Sequence, residues 1–427
     1  METRYGNPSP IFEDERYLLE DYTPETLPER TEQLDELYNA LEPASRGIGA
    51  QNVFLYGKAG QGKSATAKVE LGQLQHYAEH EANDLDLTVV ELSCEDLAGS
   101  YQVTCRIVKE LTGEHPNGHP TDVVFEKLWD ALNEVGGSII LVLDEIDNIG
   151  TNDQLLYALP RARDKEYVND NVFPSILGIS NDLQWRDHLS PKVKDSLYDE
   201  SVFFPPYDAN QLRKILSRRA VKAFNDTEAI TETVDDEEVV VGVESDVLTE
   251  DVIPLAAAFA AQDTGSARQA IRYLRKAGRL ASSAGDEAVT EEHLREAQNQ
   301  AERERVVEGM EALTTQGHLT LAAVTALEFA GEAPATTREV YQVYRQIAED
   351  IDADPLVMRR MREHLQELDM LGIIQLDSKA AGSPGGPTYH AQLRVDKETA
   401  REVLSRQSRV ADAGDLDTYV SPRQQKL

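Results

Sequence analysis

The chain has little cysteine, little lysine and no long apolar run. Its two cysteines, Cys94 and Cys105, show no metal-site spacing and suggest no disulfide framework. No apolar stretch approaches the ~20 residues that a membrane-spanning helix needs, and no signal peptide opens the sequence. Lysine supplies only 14 of 42 basic residues, against 77 acidic ones, so the formal net charge is −35. The acids are spread over all segments, which reads as a solvated surface suited to molar salt; the rival reading is a protein that docks on a basic partner. Global acidity ordinarily argues against nucleic-acid binding. At ~1 M salt, however, the screening length contracts to ~3 Å, so the charge excludes no DNA-binding function. A cytoplasmic protein of two or three domains, without a membrane partner, is expected, because 427 residues exceed one ordinary domain.

What is present is organised around Val53 to Lys68, VFLYGKAGQGKSATAK. An apolar run (Val53 to Tyr56) leads into Gly57-Lys58-Ala59-Gly60-Gln61-Gly62-Lys63-Ser64, and Ala65 continues into a helix-forming segment. Strand, glycine-rich loop and helix together form a phosphate cradle: glycines turn the backbone tightly, and successive N–H groups converge at a helix N-terminus. Lys63 can reach the β- and γ-phosphates, and the Ser64 hydroxyl can ligate Mg2+. ATP or ADP with Mg2+ is the implied cofactor.

Before the loop, Met1 to Pro10 reads as a loose tail, Asp21 to Glu25 as a turn, and Arg30 to Leu41 as a helix. A segment in this position can fold over the nucleotide base. Tyr22 and Arg30 are its candidates, with plain surface roles equally open. After the loop come a buried-type strand (Leu87 to Leu92), a helix (Tyr101 to Leu111) and the strand Ser138 to Leu143. That strand runs into Asp144-Glu145-Ile146-Asp147. Alone, an acidic strand end is a turn; about eighty residues after a phosphate loop it completes a P-loop ATPase. Asp144 would hold the metal through water and Glu145 would polarise the attacking water. A further strand, Ser175 to Ser180, ends at Asn181, which can cap the strand or orient the lytic water. With Ser201 to Phe204 there are five apolar strands separated by helical segments. The pattern predicts an α/β fold with a parallel doubly wound sheet.

Tyr207 to Phe224 begins a helical region, interrupted by Asp226 to Asp251, whose eleven acids and absence of Lys and Arg read as a solvated loop. Two helices follow, Val252 to Ala261 and Gly265 to Leu280. Ser266 can cap the second, placing Arg268 in its first turn, where a cation opposes the helix dipole. That mild conflict supports an anionic partner for Arg268, the γ-phosphate. From about Glu308 the pattern changes to helix (Leu319 to Phe329), helix (from Thr337, capped by Thr336 with Glu339 in a capping box), helix (Pro355 to Met370) and hairpin (Ile373 to Leu376, tip Ala380 to Pro387, Thr388 to Leu393). Three helices and a hairpin make a winged helix, whose third helix enters the major groove. That helix carries Arg359, Arg360 and Arg362, and the wing carries Lys379. Pro355 to Glu402 has seven basic and seven acidic residues, a local relief of the acidity where phosphate contacts need it. A winged helix used for protein contacts is the other reading. The stretch 407–427 reads as a mobile tail.

Taken in this order, the phosphate loop, Asp144-Glu145-Ile146-Asp147, Asn181, Phe204-Pro205-Pro206-Tyr207, Gly265-Ser266-Ala267-Arg268 and the winged helix resemble the archaeal origin-recognition/cell-division-control initiator family of AAA+ ATPases. Leu27-Pro28-Glu29-Arg30, Ser100-Tyr101-Gln102-Val103, Leu155-Leu156-Tyr157 and Leu365 to Ile374 agree with it. The resemblance implies an AAA+ core (1–206), a helical lid (207–308), a winged-helix DNA-binding domain (309–406) and a tail (407–427). It makes Lys63 and Ser64 Walker A, Asp144 and Glu145 Walker B, Asn181 sensor 1 and Arg268 sensor 2, and adds Tyr207 to the nucleotide site. It also likens Ala98 to Leu111 to the initiators' DNA-touching helical insertion.

The implied function is a weak ATPase that acts as a nucleotide switch, binds double-stranded origin DNA at the nucleoid, assembles with other initiator protomers and helps recruit the replicative helicase. The sequence departs from the family at Ser190-Pro191-Lys192-Val193-Lys194, where lysines stand in place of an arginine finger, and at Gly265-Ser266 in place of Gly-Asp. A lysine is a point charge without the planar fork of arginine, which puts trans-activated hydrolysis in question. Together with the long acidic insertion, these departures suit a divergent paralogue. Two other classes stay open: an ATP-switched scaffold whose winged helix grips a protein, and a turnover ATPase or small-molecule kinase.

Overall fold

Apolar runs separated by helices are expected to give a parallel sheet, and five strands form one, its three central strands largely buried on both faces and its two edge strands part-exposed. The computed structural model describes residues 9–82, 85–150, 152–197, 200–234, 237–379 and 388–407, together with Val410, Leu416 and Tyr419. The sheet is built from β1 (Val53–Tyr56), β2 (Leu87–Ser93), β3 (Gly137–Asp144), β4 (Val172–Ser180) and β5 (Glu200–Phe203), in the order β2-β3-β4-β1-β5. Helix α1 (Thr31–Ser45) precedes the first strand, and α2 (Lys63–His80), α3 (Ser100–Thr112), α4 (Thr121–Val135), α5 (Gln154–Ala158), α6 (Trp185–His188) and α7 (Pro191–Leu197) connect successive strands. Alternation along β3 divides the core. Ile139, Leu141 and Leu143 pack with Val103, Ile107 and Leu128 of α3 and α4, whereas Ile140 and Val142 pack with Leu37, Leu41 and Leu71 of α1 and α2. Register then aligns the strand ends, Asp144 beside Ile179 and Tyr56 beside Ser180, so the loop after β1, the carboxylates after β3 and Asn181 after β4 meet at one edge.

The lid elements follow: α8 (Ala209–Ala223), β6 (Thr227–Val234), β7 (Glu237–Ser245), α9 (Val252–Asp263) and α10 (Ala267–Ala284). Asp208 and Gln211 form a capping box on α8, and Ser266 accepts from Gln269 N to cap α10. The acidic stretch Asp226 to Asp251 is no loop. It forms the antiparallel β6–β7 hairpin, and β7 packs against α8. Val239, Val240, Val241, Val243, Ile230, Thr231 and Thr233 supply β-branched strand formers that the eleven acids concealed.

The N-terminal segment is tied to the lid from Ser9 onward, and residues 1–8 of the expected tail lie outside the described residues. Ile11 is fully buried, Glu13 N donates to Ala223 O at 3.0 Å, and Phe12 pairs with Phe224 at a ring-centroid distance of 5.0 Å. A Cβ at Gly278 would strike the Phe12 ring, so glycine there makes the seat for this strap.

The second compact unit runs from Gln298 to Leu427, the division falling within α11 (Glu291–Glu311). It contains α12 (Thr315–Phe329), β8 (Ala335–Thr336), α13 (Thr337–Asp350), α14 (Met358–Met370), β9 (Ile374–Lys379), β10 (Thr388–Leu393) and α15 (Lys397–Arg406), with sheet order β8-β10-β9. Helix α12 begins at Thr315, earlier than Leu319, because Thr314 caps it through Gly317 N. The capping box of Thr336 and Glu339 is present. Helix α14 begins at Met358 rather than Pro355: Leu356 N donates to Tyr344 Oη at 2.8 Å and Val357 is extended, which holds this stretch out of the helix. The wing tip expected at Ala380 to Pro387 lies outside the described residues. The stretch after residue 406 is not wholly a free tail, since Val410, Leu416 and Tyr419 are buried in the winged-helix core and Tyr419 Oη donates to Asp350 Oδ2 at 2.7 Å.

Candidate nucleotide-binding site

Gly62 caps α2 in the left-handed region at φ 90°, which a side chain would strain, and the helix N-terminus opens onto a cavity of about 610 Å3. Ala59, Gly60, Gly62, Lys63, Ser64, Ala65, Asp144, Glu145, Asn181, Tyr207, Arg268, Arg30 and Tyr22 all border it, so the residues expected from distant parts of the sequence converge on one space. Gly57, Lys58 and Gln61 complete the loop behind it.

Lys63 is buried, and its three ammonium donors face Gly57 O at 2.7 Å, Lys58 O at 2.9 Å and Asn181 Oδ1 at 2.9 Å. Burial pulls this ammonium down to about 8; Arg268 and Arg30 add to the shift, and Asp144 and Asp147 oppose it. A phosphate that reaches Nζ must replace one of these oxygens, and its charge would restore the lysine. Ser64 Oγ donates to Asp144 Oδ2 at 2.8 Å, which sets two hard oxygen donors side by side. Glu145 has left-handed backbone at φ 56° and ψ 40°, strain of the kind found at functional sites. Burial raises its carboxyl, and the neighbouring Glu95 and Asp144 carboxylates raise it further.

Asp147 has a role the sequence did not disclose. Its Oδ1 accepts from Ser180 Oγ at 2.9 Å and from Asn181 N at 3.4 Å, so it fixes the strand end that carries Asn181. The available signal was a second aspartate three positions after Asp144.

Lid and loop touch directly. Ala267 N donates to Gly60 O at 3.0 Å, and a Cβ on Gly60 would collide with Ser266 Oγ. Gln61, fully buried, donates to Thr264 O at 3.1 Å and accepts from Tyr207 N at 3.2 Å. Arg268 is half-exposed, with its Nε 3.6 Å from Glu20 Oε2. Arg30 is braced below the loop. It donates to Gln61 O at 3.0 Å and Pro205 O at 2.7 Å, and it stacks 3.7 Å from the Tyr207 ring centroid. Tyr22 lies under Arg219, which is 4.3 Å from its ring centroid and donates to its carbonyl. Arg218 pairs with the buried Glu29 carboxylate, joining α8 to the strap. No local signal marked Arg218 or Arg219, and Glu29 stood out only within the motif Leu27-Pro28-Glu29-Arg30.

In the second unit, α14 buries Met361, Leu365 and Leu368 and exposes Arg359, Arg360 and Arg362. Arg360 pairs with Glu363 at 2.8 Å, and Arg362 sits 5.3 Å from the Tyr389 ring centroid. Arg359 has no ion-pair or hydrogen-bond partner among the described residues. Lys379 ends β9, and its side chain lies outside the described residues. Among the described residues no helix is long and apolar enough to cross a membrane, and both cysteines are buried and free.

A parallel sheet with a glycine loop after β1, paired carboxylates after β3, a polar residue after β4 and a helical lid with an arginine at the cavity defines an AAA+ P-loop ATPase with an appended winged helix. Three family descriptions match along the chain: "AAA ATPase domain" over 26–169, "Cdc6 AAA+ ATPase-type lid domain" over 236–299 and "CDC6, C terminal winged helix domain" over 308–403. ORC1-type DNA replication protein 1 of Haloarcula marismortui is 39% identical, covering 95% of each chain. The ORC1-type DNA replication protein of Pyrococcus furiosus is also 39% identical, covering 92% of this chain and 90% of its own. The structure of the Aeropyrum pernix ORC1 protein in complex with DNA matches with a TM-score of 0.77 at 33% identity, over 95% of this chain and 99% of that one. The chain belongs to the Cdc6/ORC1-type family of AAA+ DNA replication initiators.

Proposed function

We propose that this protein is an ATP-dependent origin-binding initiator. It grips duplex DNA in a manner set by nucleotide state and helps to load the replicative helicase, alone or with further protomers. The carrying observation is the contact of Ala267 with Gly60 beside Arg268. A nucleotide cradled by residues 57–65 lies where lid and loop meet, so its γ-phosphate can bias the lid through Arg268. Lys63 binds the phosphates. Ser64 and Asp144 hold Mg2+, which neutralises phosphate charge. Glu145 orients water and Asn181 reports the γ-phosphate. The base lies toward Tyr22 and the strap, with Arg30 and Tyr207 shaping the wall. Hydrolysis is slow, since the step serves as a switch. The DNA in the Aeropyrum ORC1 complex supports DNA as the ligand, and Arg359, Arg360, Arg362 and Lys379 are the contacts proposed on the winged helix.

The test is titration of one duplex by the full chain in molar KCl, without nucleotide, with ATP and with ADP. Affinity or footprint is expected to differ among the three states. Identical binding in all three would defeat the switch. A second reading, a regulatory paralogue that contacts a protein partner, is favoured by Lys194, whose Nζ is tied to Asp187 O at 3.0 Å where a free inter-subunit cation would be needed. Duplex binding by the full chain separates the two.

A further inference from the structure

Exposed apolar side chains are sparse on this acidic protein, yet both ends of α14 carry them: Val357 is 66% exposed and Met358 36% at its start, Met370 81% and Leu371 42% at its end. Met358, Arg362, Gln366 and Met370 follow one another at four-residue spacing, so they form one exposed row that starts beside the buried Met361 and Leu365 and winds to the outer side of the helix at Met370. Val357 and Met358 lie next to Arg359, the one arginine of the three on this helix without a partner among the described residues. An apolar pair beside an available guanidinium fits an anionic surface that also presents methyl groups. In the major groove thymine is the base with such a group, its C5 methyl, and apolar side chains read it by contact.

We infer that Val357 and Met358 are specificity-determining residues that read thymine methyl groups in the major groove, with Arg359 reading a base edge or phosphate beside them. This rests on the duplex-binding reading above. The occupant is DNA rather than a protein groove because the segment around α14 is charge-neutral in a chain of −35 and places three arginines on the same helix. Apolar contact is also the recognition that survives molar salt, in which phosphate attraction is screened.

The experiment uses a duplex selected from a random pool by the full chain in molar KCl. Each thymine is replaced in turn by deoxyuridine, which removes only the methyl. Binding is expected to weaken roughly fourfold at one or two positions, the value of one buried methyl-sized group. The variants Val357→Ser and Met358→Gln should bind thymine and deoxyuridine duplexes equally; serine at the N-cap keeps the helix start intact, and circular dichroism checks the fold. Indifference of the wild type to every replacement, with selected-duplex binding intact, overturns this inference and leaves the initiator reading standing. Methyl discrimination that persists in both variants removes these two residues from the role. Failure to select any duplex overturns the duplex-binding reading and this inference together.

Discussion

Lys63 Nζ donates to Asn181 Oδ1 at 2.9 Å, joining the cation of the phosphate loop to the residue that follows β4. Asp147 holds the same asparagine by its backbone N–H. On the proposed reading, Asn181 would meet the γ-phosphate with fixed geometry. Asn181→Ala is therefore expected to lower ATP turnover about 10²-fold while ADP affinity stays within about tenfold. Phosphate-release assays and fluorescent-nucleotide titration measure the two. An equal loss in both would make Asn181 a ground-state ligand instead.

The depressed Lys63 gives a pH signature. Its ammonium titrates at about 8 in the nucleotide-free protein, and phosphate charge favours the protonated form, so its value rises on binding. Above pH ~8 the free lysine has lost its proton and binding must recover one. Calorimetry of ADP binding at about pH 8.5, in buffers of different ionisation enthalpy, should therefore show net proton uptake. Lys63→Ala should abolish nucleotide retention. No uptake would separate Lys63 from the phosphates.

Glu145 acts as a base only when ionised, and burial with the nearby Glu95 and Asp144 carboxylates raises its value. Turnover should fall, as pH decreases, at a higher pH than an ordinary glutamate would give. Glu95→Gln removes one repulsive charge and should move that acid limb to lower pH. Glu145→Gln should bind ATP without hydrolysing it. An acid limb unmoved by Glu95→Gln would assign it to another group.

Glu20 lies 3.6 Å from Arg268, both about half exposed. On the proposed reading, a bound γ-phosphate would compete with Glu20 for that cation. Glu20→Ala should tighten ATP binding by up to about fivefold in 0.1 M salt, the scale of an exposed ion pair, and leave it unchanged in molar salt. Weaker binding in the variant would mean that Glu20 instead positions Arg268 for the nucleotide.

The arginines of α14 should not be equivalent. Arg359→Ala is expected to weaken duplex binding by about 1–3 kcal/mol if it reads a base edge. Arg360→Ala should cost less, because Glu363 already neutralises Arg360 at 2.8 Å. Gel-shift titrations over a salt series measure both, and a phosphate contact would lower the salt slope by about one. Equal effects would contradict the pairing.

The expected strands, Ser266 and Thr336 caps and three-helix winged fold were legible because each depends on a few contiguous residues. The hairpin at 227–245 was not, since its acids outweighed its β-branched residues in any local reading, while packing on α8 rewards only the latter. The start of α14 was displaced by three residues for a similar reason: the Tyr344 hydroxyl that takes the Leu356 N–H is twelve residues away.

From its sequence alone this protein declares a glycine-rich loop after a strand, a pair of carboxylates, a strand-end asparagine and a winged helix, because backbone turning, strand polarity and helix capping are local. Only the tertiary structure decided what holds those parts together. Gln61 meets Thr264 across 203 residues, Glu29 meets Arg218 across 189, and Arg30, a candidate for folding over the nucleotide base, is braced beneath the glycine-rich loop. Such pairs carry no local pattern. They exist because burial leaves polar atoms few partners, and the packing of lid on core chooses which ones they find.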